Sequence, residues 1–197
     1  MELERVFNEA ALPDVTFVYP AEFSHLRSAI RAPGKHVTLS GPSGSGKTTV
    51  IKKLFDEEEI SNAELLWINA RKHAKVTGCF EMLGEETSEA PTFDAITPYL
   101  QSVRFVVIDD FHHLPEGARR ELASHLKLWH EYQVRFVTIG ISSSAAELLE
   151  IDPELGIRNE AFELSTQSET FTRKLISQGT DALHVKFSDG LIVTVQG

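Results

Sequence analysis

Cysteine is almost absent: Cys79 is the only one in 197 residues. An internal disulfide is therefore excluded, and with no second thiol Cys79 is expected as a buried or half-buried side chain rather than a metal ligand. Long apolar runs are also missing, since none approaches the roughly 18 to 20 residues that a membrane-spanning helix requires. The start, Met1-Glu2-Leu3-Glu4-Arg5, has neither the basic region nor the apolar stretch of a secretory signal, so the cytoplasm is the expected location. Positive charge is in deficit. Nineteen Lys and Arg against 29 Asp and Glu give a formal charge of -10, which does not favour nucleic acid as a partner, because Lys and Arg on phosphates supply most non-specific affinity. Only Arg71-Lys72-His73-Ala74-Lys75 clusters, and such a run is expected to be a solvated loop or helix end.

What the sequence does have is the length and composition of one soluble globular domain. Apolar runs with the character of buried parallel strands alternate with longer amphipathic stretches, the α/β signature. Strands are predicted at His36–Ser40, Glu64–Asn69, Arg104–Asp109, Val134–Ile141 and Ala161–Leu164. Helices fit at about 47–58, 92–101, 115–132, 144–150 and 168–178, with another from Ala21 to Arg31 that Ala32-Pro33-Gly34 ends. The acidic stretch Glu81–Pro91 reads as a mobile loop, and the alternation around Ser188-Asp189-Gly190 as a C-terminal hairpin. The organisation is then an N-terminal segment (1–35), a core (36–180) and a C-terminal hairpin or the start of a further element (181–197).

Between the first strand and its helix stands Gly41-Pro42-Ser43-Gly44-Ser45-Gly46-Lys47-Thr48, a G-x-x-x-x-G-K-T phosphate-binding loop, followed by Thr49. Small residues let backbone N–H groups approach phosphate, and the helix that follows aims its free N–H groups at the same anion. Lys47 is positioned for the β- and γ-phosphates and the Thr48 hydroxyl for Mg²⁺; Thr49 caps or packs nearby. Phe105-Val106-Val107-Ile108-Asp109-Asp110 then supplies a Walker B pattern, an apolar strand ending in two acids. Asp109 is expected to hold Mg²⁺ directly or through water. Asp110 either polarises the attacking water or serves as a helix cap or ion-pair partner. The histidines are not expected to bind metal: adjacent His112 and His113 point poorly at one ion, and His125 and His130 are five apart on a helix.

With these elements in this order, the chain resembles an AAA+ P-loop ATPase over roughly residues 15–180, most closely the origin-recognition and STAND-type branch. The resemblance implies a three-layer α/β fold with a five-stranded, mainly parallel sheet in the order 5-1-4-3-2, and ATP with Mg²⁺ as cofactors. It implies a γ-phosphate sensor at Ser142, with Thr138 as the alternative, and a trans-acting arginine finger at Arg158. Phe17-Val18-Tyr19-Pro20 resembles the stretch that packs on adenine in this family, although a plain core strand also fits. Two departures stand out. Asp110 occupies a place where most members have glutamate, which sets its carboxylate about 1.5 Å further back and implies slow turnover. The family also continues into a helical lid where this sequence reaches Val195-Gln196-Gly197, so the lid is expected on another chain, or lost, or beyond the sequence. Three functions remain open: an ATPase module whose nucleotide state controls self-assembly (a homo-oligomer) or engagement of an effector protein on another chain, a nucleotide switch that hydrolyses little, and a P-loop small-molecule kinase.

Overall fold

The computed structural model describes residues 16–141, 143, 146, 148, 150, 154–165 and 169–184. These fall into two compact units, one running from Glu22 to Leu164 and one formed by the described parts of Met1–Ala21 and Ser165–Gly197.

The larger unit is built on five strands: β1 (His36–Ser40), β2 (Leu65–Asn69), β3 (Phe105–Asp109), β4 (Phe136–Ile139) and β5 (Asn159–Glu163). All pair in parallel in the order β2-β3-β4-β1-β5, which is the order expected from the family resemblance. Position in the sheet explains the sequence pattern. Central β1, β3 and β4 are buried at every residue, with polar side chains such as His36, Thr38 and Thr138 hydrogen-bonded inside, whereas edge strand β2 alternates between buried and half-buried residues.

Helices α1 (Phe23–Arg31) and α2 (Lys47–Glu57) pack against each other, and α2 covers one face of the sheet through Phe55. Its ring stacks on Phe105 at 5.3 Å and meets Trp67 edge-on at 6.3 Å. On the opposite face, α3 (Cys79–Thr87), α4 (Phe93–Ser102) and α5 (Glu116–Glu131) enclose a core with Leu66, Ile68, Val106 and Ile108. Strand alternation sends 66 and 68 to one side and 67 to the other, so three layers follow directly from the period of two. Each large apolar side chain buried here stabilises the fold by roughly 1.5–3 kcal/mol. A polar rung crosses the centre: the Thr38 and Thr138 hydroxyls lie 2.8 Å apart, and Thr38 donates to Asn159 Oδ1 at 3.1 Å.

Several boundaries differ from the sequence expectation. The stretch read as a mobile loop contains helix α3, because Cys79, Met82, Leu83 and Thr87 recur at helical spacing and are buried. Glu81 fixes its start by accepting hydrogen bonds from the Thr77 backbone N–H and hydroxyl, at 2.6 and 2.8 Å. Cys79 is buried as expected, and burial, with the neighbouring Glu121 carboxylate, pushes its thiol well above the ordinary range, which disfavours the thiolate at neutral pH. The basic run is only partly solvated: Ala70–His73 form a 3₁₀ turn in which His73 is buried, its two ring nitrogens 2.9 and 2.7 Å from Glu85 and Glu86. Strand β4 is shorter than predicted, since the Val134 N–H is taken by Trp129 O at the end of α5. The expected C-terminal hairpin lies outside the described residues, as do residues 1–15.

In the smaller unit, helix Glu169–Leu183 carries an i,i+4 ion pair between Arg173 and Glu169 at 2.7 Å. Phe17 and Val18 are buried, and the exposed Tyr19 meets the Phe17 ring edge-on at 5.0 Å. Among the described residues no helix is long and apolar enough to cross a membrane.

Candidate nucleotide-binding site

The carboxyl ends of β1 and β3 open onto one cavity of about 400 Å³, the place where an open parallel sheet presents its loops. It is lined by Ser43, Gly44, Gly46, Lys47, Thr48 and Thr49 from the loop and α2, and by Arg71, Asp110, His112 and Ile141 opposite. The loop needs its glycines. Gly41, Gly44 and Gly46 have φ of 149°, 75° and 84°, and a Cβ on Gly41 would lie 2.4 Å from the Leu164 carbonyl oxygen. Gly46 sits at the N-cap of α2, so Lys47 and Thr48, which line the cavity, form the helix end whose first N–H groups have no intrahelical acceptor.

Lys47 is folded back over its own loop, donating to Gly41 O at 3.0 Å and Pro42 O at 2.6 Å, with Ser45 Oγ at 3.5 Å. Burial lowers its pKa, and the negative charges of Asp110 and Asp109 partly restore it. The Thr48 hydroxyl lies 3.0 Å from both carboxylate oxygens of Asp109. Burial raises the Asp109 pKa against the opposing hydrogen bond from Thr48. Thus the two residues assigned to magnesium from the sequence converge on one point, three side-chain oxygens being brought together by α2 and β3.

Asp110 takes an unusual backbone conformation, φ 58° and ψ 36°, and its N–H bonds to Asp109 Oδ1 at 3.0 Å. Its carboxylate accepts from Arg71 Nε at 2.7 Å. Of the roles left open for Asp110, the ion pair is realised in this state; it occupies the N-cap position of the turn Phe111–His113 without a side-chain capping bond. Sequence reasoning missed Arg71 as a site residue, and no sequence signal marks it: the contact depends on the pairing of β2 with β3, in which Asn69 is in register with Asp109 just before Arg71 and Asp110.

His112 borders the cavity with its Nδ1 buried and without a partner among the described residues. Burial lowers its pKa, assisted by His113, while Asp110 opposes the shift. Ligand atoms of Asp110, His112 and His113 all lie within 4.8 Å of one another, closer than the sequence argument anticipated for adjacent histidines. A dication there would have to sit beside the Arg71 guanidinium, which already holds the Asp110 carboxylate.

The remaining candidates stand elsewhere. Ser142 lies outside the described residues, next to Ile141, which borders the cavity. Thr138, its alternative, is buried in the sheet and hydrogen-bonded to Thr38. Arg158 is not among the cavity residues; it ends the short helix α6 (Leu155–Arg158), where Nη1 donates to Glu154 O at 3.4 Å. Next to it Ile157 is 77% exposed. A larger cavity of about 940 Å³ borders α5, but its wall lacks a glycine loop, and charged residues there, such as Arg120 and Glu116 at 2.7 Å, pair with each other.

A glycine loop between a buried strand and a helix, facing an acid at the end of the parallel strand one place beyond its neighbour, defines a P-loop NTPase fold. The chain belongs to the AAA domain family, which matches residues 30–149. Solved structures agree on the fold. Cdc6p from Pyrobaculum aerophilum is 20% identical with a TM-score of 0.62, over 91% of this chain and 53% of that one. AMPPCP-bound DnaA from Aquifex aeolicus is 13% identical with a TM-score of 0.65, over 91% and 57%. The Aeropyrum pernix ORC1 protein in complex with DNA is 17% identical with a TM-score of 0.61, over 92% and 53%. The chain thus spans little more than half the length of these proteins. Among curated proteins, an ATP-dependent lipid A-core flippase of Paraburkholderia xenovorans is 41% identical over 58 residues, 26% of this chain and 10% of the flippase.

Proposed function

We propose that this chain binds MgATP at the P-loop and works as an ATPase module of the AAA+ class, in its origin-recognition and STAND-type branch. Nucleotide state controls its assembly with itself or with a partner. The observation that carries the reading is the convergence of Thr48 and Asp109, 3.0 Å apart through both carboxylate oxygens, at the edge of a cavity that Thr48, Lys47 and the glycine loop line.

The donor set fits magnesium. Mg²⁺ prefers hard oxygen ligands, takes few from protein and keeps waters and phosphate oxygens for the rest; a hydroxyl beside a desolvated carboxylate meets that demand. Bound there, the ion would neutralise charge on the β- and γ-phosphates. The chain's own residues supply the rest of the chemistry. Loop N–H groups and Lys47 orient the phosphates, and Asp110 orients the attacking water, a reaction that depends mainly on positioning and electrostatics. In this reading Ser142 contacts the γ-phosphate, and Arg158 completes the site of a neighbouring copy, consistent with its place outside its own cavity beside exposed Ile157. A lid supplied by other residues or another chain closes the site.

A switch that hydrolyses little has a specific observation in its favour: the Asp110 carboxylate is engaged by Arg71 rather than free for water. DNA is the partner in the ORC1 complex, but a formal charge of -10 favours a protein partner here. Titration with a fluorescent ATP analogue tests the central reading. Lys47→Ala is expected to abolish measurable triphosphate binding, and undiminished affinity in that variant would refute it.

A further inference from the structure

Arg71 sits where β2 delivers it. Asn69 is in register with Asp109, and its Oδ1 accepts the Arg71 backbone N–H at 3.0 Å, which fixes the turn from which the Arg71 side chain lines the cavity. The side chain is 61% exposed and bonds Asp110 through Nε, while its terminal amines meet no acceptor among the described residues. An ion pair this open to water is weak and readily exchanged. A terminal phosphate is the stronger competitor for a guanidinium, because it offers three oxygens and up to two charges to a planar fork of donors, where the carboxylate here engages one.

Taking the cavity as the triphosphate site, on which this inference rests, we propose that Arg71 binds the γ-phosphate of the same chain's nucleotide. It exchanges the Asp110 carboxylate for that phosphate and so makes the site discriminate triphosphate from diphosphate. The exchange has a second effect. Once the guanidinium leaves, the Asp110 carboxylate is released beside the phosphate that drew it away, so the group that orients water is freed only when a terminal phosphate is present. Arg71 is thus a ligand of the nucleotide and a positioning residue for Asp110.

Calorimetric titration of the full chain with Mg-AMPPCP and with Mg-ADP tests this. Arg71→Ala is expected to weaken AMPPCP binding about tenfold or more, as for loss of one charge-assisted contact, and to change ADP binding less than twofold. Arg71→Lys, which keeps the charge without the fork, should recover only part of the loss. Asp110→Asn removes the competitor and should tighten AMPPCP several-fold when Arg71 is present and not in the Arg71→Ala background. Equal losses for both nucleotides in Arg71→Ala, no loss for either, or an Asp110→Asn effect that is the same in both backgrounds would overturn the inference while leaving the triphosphate site standing. A wild-type chain that binds neither nucleotide, or binding that survives Lys47→Ala, would remove the site and the inference together.

Discussion

The buried imidazole of His36 sets an acid limit on this fold. Its Nε2 lies 2.9 Å from the Leu126 carbonyl and its Nδ1 accepts the Phe136 backbone N–H at 3.1 Å, so the neutral ring with its proton on Nε2 satisfies both partners. A second proton would place two donors face to face at Phe136. Burial is the main cause that pushes the His36 pKa from 6.5 to about 4, and the charges of His130 and Arg135 add to it. Between those two values the unfolded chain binds a proton that the folded chain refuses, so stability is intact above about 6.5 and falls as pH drops toward 4. At about 1.4 kcal/mol per tenfold change in proton affinity, the loss is on the order of 3 kcal/mol, a large part of a typical domain's stability. Urea unfolding followed by tryptophan fluorescence reports on the right unit, because Trp67 and Trp129 both lie in Glu22–Leu164 and Trp129 packs 5.0 Å from Phe136. His36→Gln should be less stable than wild type at pH 7.5, with the two stability curves converging as pH falls to 4. Parallel curves across that range, or a His36 ring proton titrating near 6.5 by NMR, would refute the reasoning.

Asp109→Ala is expected to remove the Mg²⁺ dependence of ATP affinity, and a variant whose binding still responds fully to Mg²⁺ would show that the ion is held elsewhere. If Arg158 acts in a neighbour's site, wild-type phosphate release per chain should rise with protein concentration and Arg158→Ala should flatten that rise; an unchanged concentration profile argues for a structural arginine. Gly41→Ala forces a Cβ to within 2.4 Å of a backbone oxygen at a φ of 149°, so a loss of about 2 kcal/mol and a Tm lower by about 6 °C are expected in calorimetry.

The parts of the site that sequence made legible are those whose chemistry demands a local pattern. Gly41–Thr48 must be small residues followed by Lys and a hydroxyl, and Phe105–Asp110 must be a buried strand ending in acid, so both stand out without a structure. The strand order followed from the family resemblance and is the order found. Helix α3 was obscured because its exposed side is crowded with Glu81, Glu85 and Glu86, and Gly84 interrupts its middle; tertiary burial of Met82 and Leu83 outweighs that weak propensity. The Arg71 contact was hidden for a different reason. It joins residues 39 apart, and only the lateral register of β2 on β3 brings them together.

The positive φ of Asp110 bears on which acid can follow Asp109. Left-handed backbone is tolerated by aspartate and asparagine, whose short polar side chains bond locally, far better than by glutamate. A single-residue change to the longer acid would therefore meet some backbone resistance, although Glu59 takes a similar φ of 53° elsewhere in the chain. The shorter acid is the one this loop geometry favours, which ties the identity of the residue after Asp109 to a torsion angle rather than to its reach alone.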